Sequence, residues 1–481
     1  MGGLGVQHLS SLDASFLHLE TPETPMHVGS LTLLELPDGY AGNFYDDVKA
    51  MLINRSNISR IFQHKLAPMP FELADPVWIE DDDVDFDYHI RHVILPKPGT
   101  RLQLEALVAR LHSSLLDRSR PLWEAYVIEG LEDGKAAYYF KGHHSALDGQ
   151  SGAELARAIY DLTPEVRVFD TPQRPKRHQY QLGVTEMMEA GVSNAARSYF
   201  NLIKALPGAA KGIGALAKEV VTGGDLKGRL KSLAPAPRTL FNASITNQRS
   251  YATFTAPIAE IKAMGKRHGG TLNDTVLALC STAMKSFLDE RGGAPKGSLV
   301  AAVPVSLREA GDATMNNQVS MMTVSLATDV SDVGERFKAI KASSTASKGV
   351  VNSIRGAIPT DMPVLGSPWM MGGFASLYGR SGLADRAPPQ ANVVVSNVPF
   401  SPVTLYLAGA KMLSAYAVSI PYHGMALNVT VQSYGESLDF GLTACRRAMP
   451  VSEMQSLVKH LSAAYELLKA APATVETKAK A

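Results

Sequence analysis

The sequence predicts an α/β protein of two domains, and three observations carry that reading. A chain of 481 residues is too long for one ordinary core. The N-terminal third interleaves strand-like and helix-like runs, and a second interleaved region starts near Tyr251. Between them the chain changes character. It opens on the Pro-rich, basic TPQRPKRHQ and continues through helical stretches rich in Ala, Gly and Lys. The resulting division is a first domain over 1–170, a basic and largely helical linker over 171–250, and a second domain over 251–481.

The elements follow in chain order. His27 to Glu35 (HVGSLTLLE) alternates and is β-branched enough for a strand. Leu104, Leu107, Val108, Leu111 and Leu115 form the apolar stripe of an amphipathic helix. Trp123 to Glu129 and Ala136 to Lys141 read as two strands joined by the turn-like Glu132-Asp133-Gly134. This hairpin delivers His143 and His144 to the end of its second strand. A helix follows from Gly149 to Leu162. In the second region, Thr271 to Arg291 reads as a helix: Thr271 and Asp274 fit a capping pattern, with apolar residues behind them at helical spacing. Ser298 to Val305, Asn392 to Val398 and Leu427 to Ser433 read as strands.

Composition narrows the function. Hydrophobic residues make up 45% and charged residues 19%, the balance of a soluble globular chain. A net charge of +1 argues against nucleic acid as a general partner. Cys280 and Cys445 sit in apolar runs and read as buried thiols in a reducing, cytoplasmic setting. The first twenty residues lack the basic-then-apolar pattern of a signal peptide, and Val6 stands where myristoylation needs Ser or Thr. No window reaches the roughly 18 apolar residues that span a bilayer. Residues 171–250 hold 12 Lys and Arg against 4 Asp and Glu, a net of +8, while the rest of the chain is −7. The plain reading is a solvated helical connector. The sharper one is a basic surface that meets an anionic membrane or a lipid inclusion from the aqueous side.

The stretch most charged with chemistry is Phe140 to Gly152, FKGHHSALDGQSG. A metal site is disfavoured because adjacent histidines in an extended segment point to opposite faces, and no third ligand stands at workable spacing. Gly-x-Ser-x-Gly, a P-loop and a dinucleotide-binding Gly-x-Gly-x-x-Gly are absent from the sequence. Two readings remain at this point. One is a general base at the strand end, with Asp148 and Gly149 shaping the turn behind it. The other is two ordinary strand-end histidines followed by an N-cap aspartate.

His143-His144-x-x-x-Asp148-Gly149 matches the HHxxxDG signature of CoA-dependent acyltransferases and condensation enzymes. More of the chain resembles the bacterial wax ester synthase/diacylglycerol acyltransferase family. LDASFLHLETPETPMHVGSL is similar to that family's opening, and Pro121-Leu122-Trp123 to its PLW motif. Asn273-Asp274 resembles its ND motif, and NVVVSNVP (Asn392 to Pro399) its Ser-Asn-Val block. The resemblance runs from about Ser10 to Leu468. Ser401-Pro402 departs from it, standing where many relatives have Gly-Pro.

The resemblance implies two chloramphenicol-acetyltransferase-like domains with an active-site tunnel at their interface. It implies acyl-CoA as co-substrate, no resident cofactor or metal, and a fatty alcohol or diacylglycerol as acceptor. His144 would be the base and His143 its structural neighbour. Asp148 would brace the loop by pairing with Arg308. Asn273 would stabilise the oxyanion, with Ser396 and Asn397 as weaker candidates. Plainer roles stand beside these: a helix cap for Asn273, a first-turn acid for Asp274, a loop cation for Arg308. Pro121, Leu122, Trp123 and His27 are candidates for the tunnel wall, although Trp123 and His27 also read as core. Two rivals are a condensation-type enzyme using carrier-protein thioesters and a non-catalytic lipid- or CoA-binding protein of the same fold.

Overall fold

The computed structural model describes residues 7–67, 75–147, 149–169, 235–306, 319–354 and 381–473. Its strands are β1 (Gln7–His8), β2 (His27–Glu35), β3 (His64–Ala67), β4 (Val77–Glu80), β5 (Ile90–Ile94), β6 (Trp123–Glu129), β7 (Ala136–His143) and β8 (Arg249–Pro257). They continue with β9 (Val300–Ser306), β10 (Val319–Ser325), β11 (Val393–Ser401), β12 (Tyr406–Leu407), β13 (Ala410–Val418), β14 (Leu427–Tyr434) and β15 (Ser437–Cys445). The helices used below are α1 (Ser11–Leu19), α2 (Phe44–Asn54), α3 (Arg101–His112), α4 (Gly149–Ile159), α5 (Leu272–Glu290) and α6 (Val451–Ala470).

Two six-stranded sheets dominate. The first runs β12-β13-β2-β7-β6-β5 and the second β10-β9-β11-β14-β15-β8; a small sheet, β1-β4-β3, stands apart. The expected hairpin is present: β6 and β7 pair antiparallel from Trp123↔Gly142 to Ile128↔Ala137. Strand β7 is central and buried along its whole length, so its two faces alternate between two cores. Tyr138 and Phe140 join Trp123, Ala125 and Val127 in a cluster that also takes in α2 and α4. Ala137 and Tyr139 join Leu104, Leu107 and Val108 of α3, together with Tyr251 and Tyr416 from the second half of the sequence.

One expectation needs amending. Residues 251–481 do not stay in the second sheet, because β13 pairs with β2 from Lys411↔Glu35 to Val418↔Gly29 and completes the first. The crossover lies tightly on the second sheet at Gly441. A side chain there would place Cβ 1.8 Å from the Ala417 carbonyl oxygen, so the close approach requires glycine. The basic linker falls outside the described residues except for 235–250.

Candidate active site

The hairpin ends at the paired histidines. His143 is the last residue of β7, and its main-chain N–H donates to Leu122 O at 2.9 Å. His144 follows immediately, its N–H donating to Met26 O at 2.8 Å. Both histidines are therefore held by main chain from segments far away in sequence.

The His143 ring is fully buried. Its Nδ1 accepts the Ser145 main-chain N–H at 3.1 Å and lies 2.7 Å from Ser145 Oγ. A backbone amide can only donate, so Nδ1 carries the lone pair and Nε2 the proton. Nε2 faces Glu20 Oε2 at 3.3 Å. Glu20 also accepts the Met26 N–H at 2.9 Å and pairs with Arg118 at 2.9 Å. Burial pushes this carboxyl up, but His143, Arg118 and the Met26 amide outweigh it and hold it down at about 2. The Ser145 amide thus sets the tautomer of His143, and the Glu20 carboxylate faces its Nε2 and holds the start of the segment that carries His144.

The His144 ring stacks on Phe16 of α1, with centroids 4.1 Å apart and planes 14° from parallel. Burial, with His143 adding to it and contact with its own main chain acting the other way, lowers it to about 4. At neutral pH the ring is uncharged. His144 keeps some exposure where His143 keeps none.

His27 lies opposite His143 in the β2–β7 register and is fully buried. Its Nε2 donates to His112 O at 2.7 Å, which makes it a packed strand histidine and not a tunnel wall. His112 donates from Nε2 to Ser419 O at 3.0 Å and accepts from Tyr139 OH at 2.7 Å through Nδ1. Burial lowers both rings, with neighbouring charge from Lys141 adding to it; His112 falls to about 3. Lys141, also fully buried, pairs with Glu124 at 3.0 Å and donates to Leu111 O and Ser114 O at the end of α3.

The PLW residues are also structural. Trp123 is fully buried, stacks on His89 at 4.5 Å and donates from Nε1 to Phe62 O at 3.4 Å. Leu122 packs among Leu9, Leu17 and Trp78, and its carbonyl holds His143. Pro121 is buried, and its carbonyl accepts the Trp123 N–H at 2.9 Å. These three seat the hairpin end.

Thr271, not Asn273, caps α5. The Asp274 carboxylate accepts from both Thr271 N and Oγ1 at 2.8 Å, closing a capping box. Asn273 is thereby released from the capping role and sits partly exposed in the first turn. Ser396 and Asn397 lie on β11 opposite Thr430 and Val431 of β14. Val431 packs with Val393 and Val395 of β11 in a core on one face of the second sheet, so alternation turns Ser396 to the other face of that sheet. Gly149 opens α4. Asp148 and Arg308 lie outside the described residues. Among the described residues, no three His, Cys, Asp or Glu gather as a metal site, and no helix is long and apolar enough to cross a membrane.

Glu20, Ser145, Phe16 and His112 were not legible as site residues. Glu20 left one faint signal, an acid closing the apolar run SFLHL just before a Pro-rich turn.

Comparisons with known proteins place the chain in a family. Residues 9–276 match the family model of the wax ester synthase/diacylglycerol acyltransferase catalytic domain, and residues 315–469 that of the family's C-terminal domain. A Mycobacterium tuberculosis protein named as a diacylglycerol O-acyltransferase is 35% identical over 472 residues, covering 96% of this chain and 99% of its own. The wax ester synthase/diacylglycerol acyltransferase from Marinobacter aquaeolei VT8 superposes with a TM-score of 0.66 at 30% identity, covering 96% of this chain and all of that one. The first condensation domain of the calcium-dependent antibiotic synthetase reaches a TM-score of 0.57 at 16% identity, with 98% of each chain covered, which shows a shared fold alone. The chain is an acyltransferase and belongs to the wax ester synthase/diacylglycerol acyltransferase family.

Proposed function

We propose that this enzyme transfers a long-chain acyl group from acyl-CoA to the hydroxyl of a fatty alcohol or a diacylglycerol, in a tunnel between its two halves. His144 takes the hydroxyl proton as the oxygen attacks the thioester carbonyl. When the tetrahedral intermediate collapses, the C–S bond breaks and His144 returns the proton to the leaving thiolate. Asn273 is the proposed donor to the developing oxyanion, with Ser396 and Asn397 behind it. The proposed part of Asp148 is to brace the turn against Arg308. Acyl-CoA enters as co-substrate, with no resident cofactor. The basic linker is the proposed contact with an anionic membrane or lipid inclusion, on the cytoplasmic side.

The observation that carries this reading is a partly exposed, uncharged His144 ring at a strand end, with its main chain fixed by Met26 and its ring by Phe16. The test uses purified protein, long-chain acyl-CoA, and either hexadecanol or a diacylglycerol, following free CoA and ester together. In a folded His144→Ala variant, acceptor-dependent release falls by about 10²–10⁴-fold, the worth of a positioned general base. A folded variant within a few-fold of wild type overturns the assignment.

A further inference from the structure

Arg249 begins β8, in the second sheet, yet its guanidinium reaches the segment that holds the two site histidines. Nη2 donates to Glu23 O at 2.6 Å, and Nη1 donates to Gln248 O at 3.2 Å and to Thr246 O. The residue is 5% exposed. Burial pushes its guanidinium down to about 10. Holding a cation there against carbonyl oxygens is costly, and what it provides in return is a rigid fork of donors in a fixed direction.

That direction matters because of what Glu23 belongs to. Thr21 and Thr24 bridge each other through two main-chain bonds of 3.0 and 3.3 Å, with Glu23 inside the turn. Both threonines are buried, so the turn is closed by main chain and packed on both sides. Two residues on, Met26 donates to Glu20 and accepts from the His144 amide. A second contact runs parallel to this one: Ser419, just past β13, accepts from His112, whose own carbonyl holds His27 opposite His143.

We propose that Arg249 is a positioning residue for the general base, a strut by which the second half of the molecule fixes the 20–26 turn and, through it, His144. The proposal rests on His144 being the base. The path ends on the main chain that holds His144, so the strut acts on the chemical step. A displacement of about 1 Å at the base costs on the order of 10²-fold in rate.

The experiment compares wild type, Arg249→Ala, Arg249→Lys and His144→Ala by steady-state kinetics and by hydrogen exchange read on peptides covering 19–27 and 141–147. Arg249→Ala should lose about 10–100-fold in kcat with KM for acyl-CoA within about two-fold, and exchange should rise in those two peptides. Arg249→Lys, which keeps the charge and one donor toward Glu23, should recover part of both. Wild-type kcat and exchange in folded Arg249→Ala overturn the proposal. So does a rise in exchange spread over the second sheet, the mark of a general structural role. Should Arg249→Ala not fold, Arg249→Lys carries the same two readouts. If His144→Ala remains active, the base assignment falls by itself and the exchange data still decide whether the strut exists.

Discussion

Replacing His112 with glutamine removes a titrating group that the folded protein holds uncharged. The wild-type ring is buried and lowered from 6.5 to about 3, first by desolvation, then by Arg249 and Lys141. The sign follows from proton counting. Between about pH 6.5 and the folded value, the unfolded chain binds a proton that the native ring refuses, so stability is lost as pH falls. Each pH unit in that window costs about 1.4 kcal/mol. From pH 7 to pH 5 the loss from this one residue is about 2 kcal/mol, and it is the same for any folded value at or below about 4. The measured quantity is a double difference: urea unfolding of wild type and His112→Gln, each at pH 7 and pH 5. Groups away from His112, His144 among them, titrate in both proteins and cancel; His27 touches His112, but its full burial alone is the largest cause of its lowered value and persists in the variant. The variant starts less stable but should lose about 2 kcal/mol less on acidification. Equal losses within about 0.5 kcal/mol would show that His112 is not held neutral in the native state, and the hydrogen-bond roles drawn from Ser419 and Tyr139 would fall with it.

Two further substitutions probe the frame. Gly441→Ala should force the crossover strand off the second sheet, since its Cβ would meet Ala417 O at 1.8 Å, the same oxygen that accepts from Tyr251 OH at 3.1 Å. About 1–3 kcal/mol of destabilisation by urea midpoint is expected, together with reduced kcat; wild-type behaviour in both would contradict the tight crossing. Asp161→Asn removes the charge facing fully buried Arg55, whose Nη2 lies 2.6 Å away. That should cost about 3–5 kcal/mol, and Asp161→Leu combined with Arg55→Met should regain much of it. A single variant as stable as wild type refutes the buried pair.

Local pattern made part of this architecture legible and long-range pairing hid the rest. The hairpin of β6 and β7 was readable because its strands alternate and a short turn joins them. The cap of α5 was readable because Thr271 and Asp274 stand three apart. Strand β13 was not, because its partner β2 lies nearly the whole chain away and no local feature encodes that pairing. The burial of Trp123 and His27 followed the same logic. A strand-end aromatic looks alike in sequence whether it lines a cavity or fills a core, and only the packing around Phe62, His89 and His112 decides.

The base motif lies wholly in the first third of the chain, yet its geometry is not set there. Strand β13 flanks β2 and so fixes the lateral position of the strand that carries His27 opposite His143. Ser419 at its end holds His112, and Arg249 of the second sheet holds the turn before Met26. Lys141 ties the end of α3 to Glu124 from inside the first sheet; burial first, with the Lys141 charge adding to it, keeps His27 and His112 uncharged, so that their ring hydrogen bonds keep one direction. A ring that accepts a proton in one step and returns it in the next gains from fixed neighbours, because any motion would change both its basicity and its aim. On the proposed mechanism HHxxxDG supplies the proton carrier, and the second half, through a crossover strand, a carbonyl and a guanidinium, supplies the fixity that lets it act.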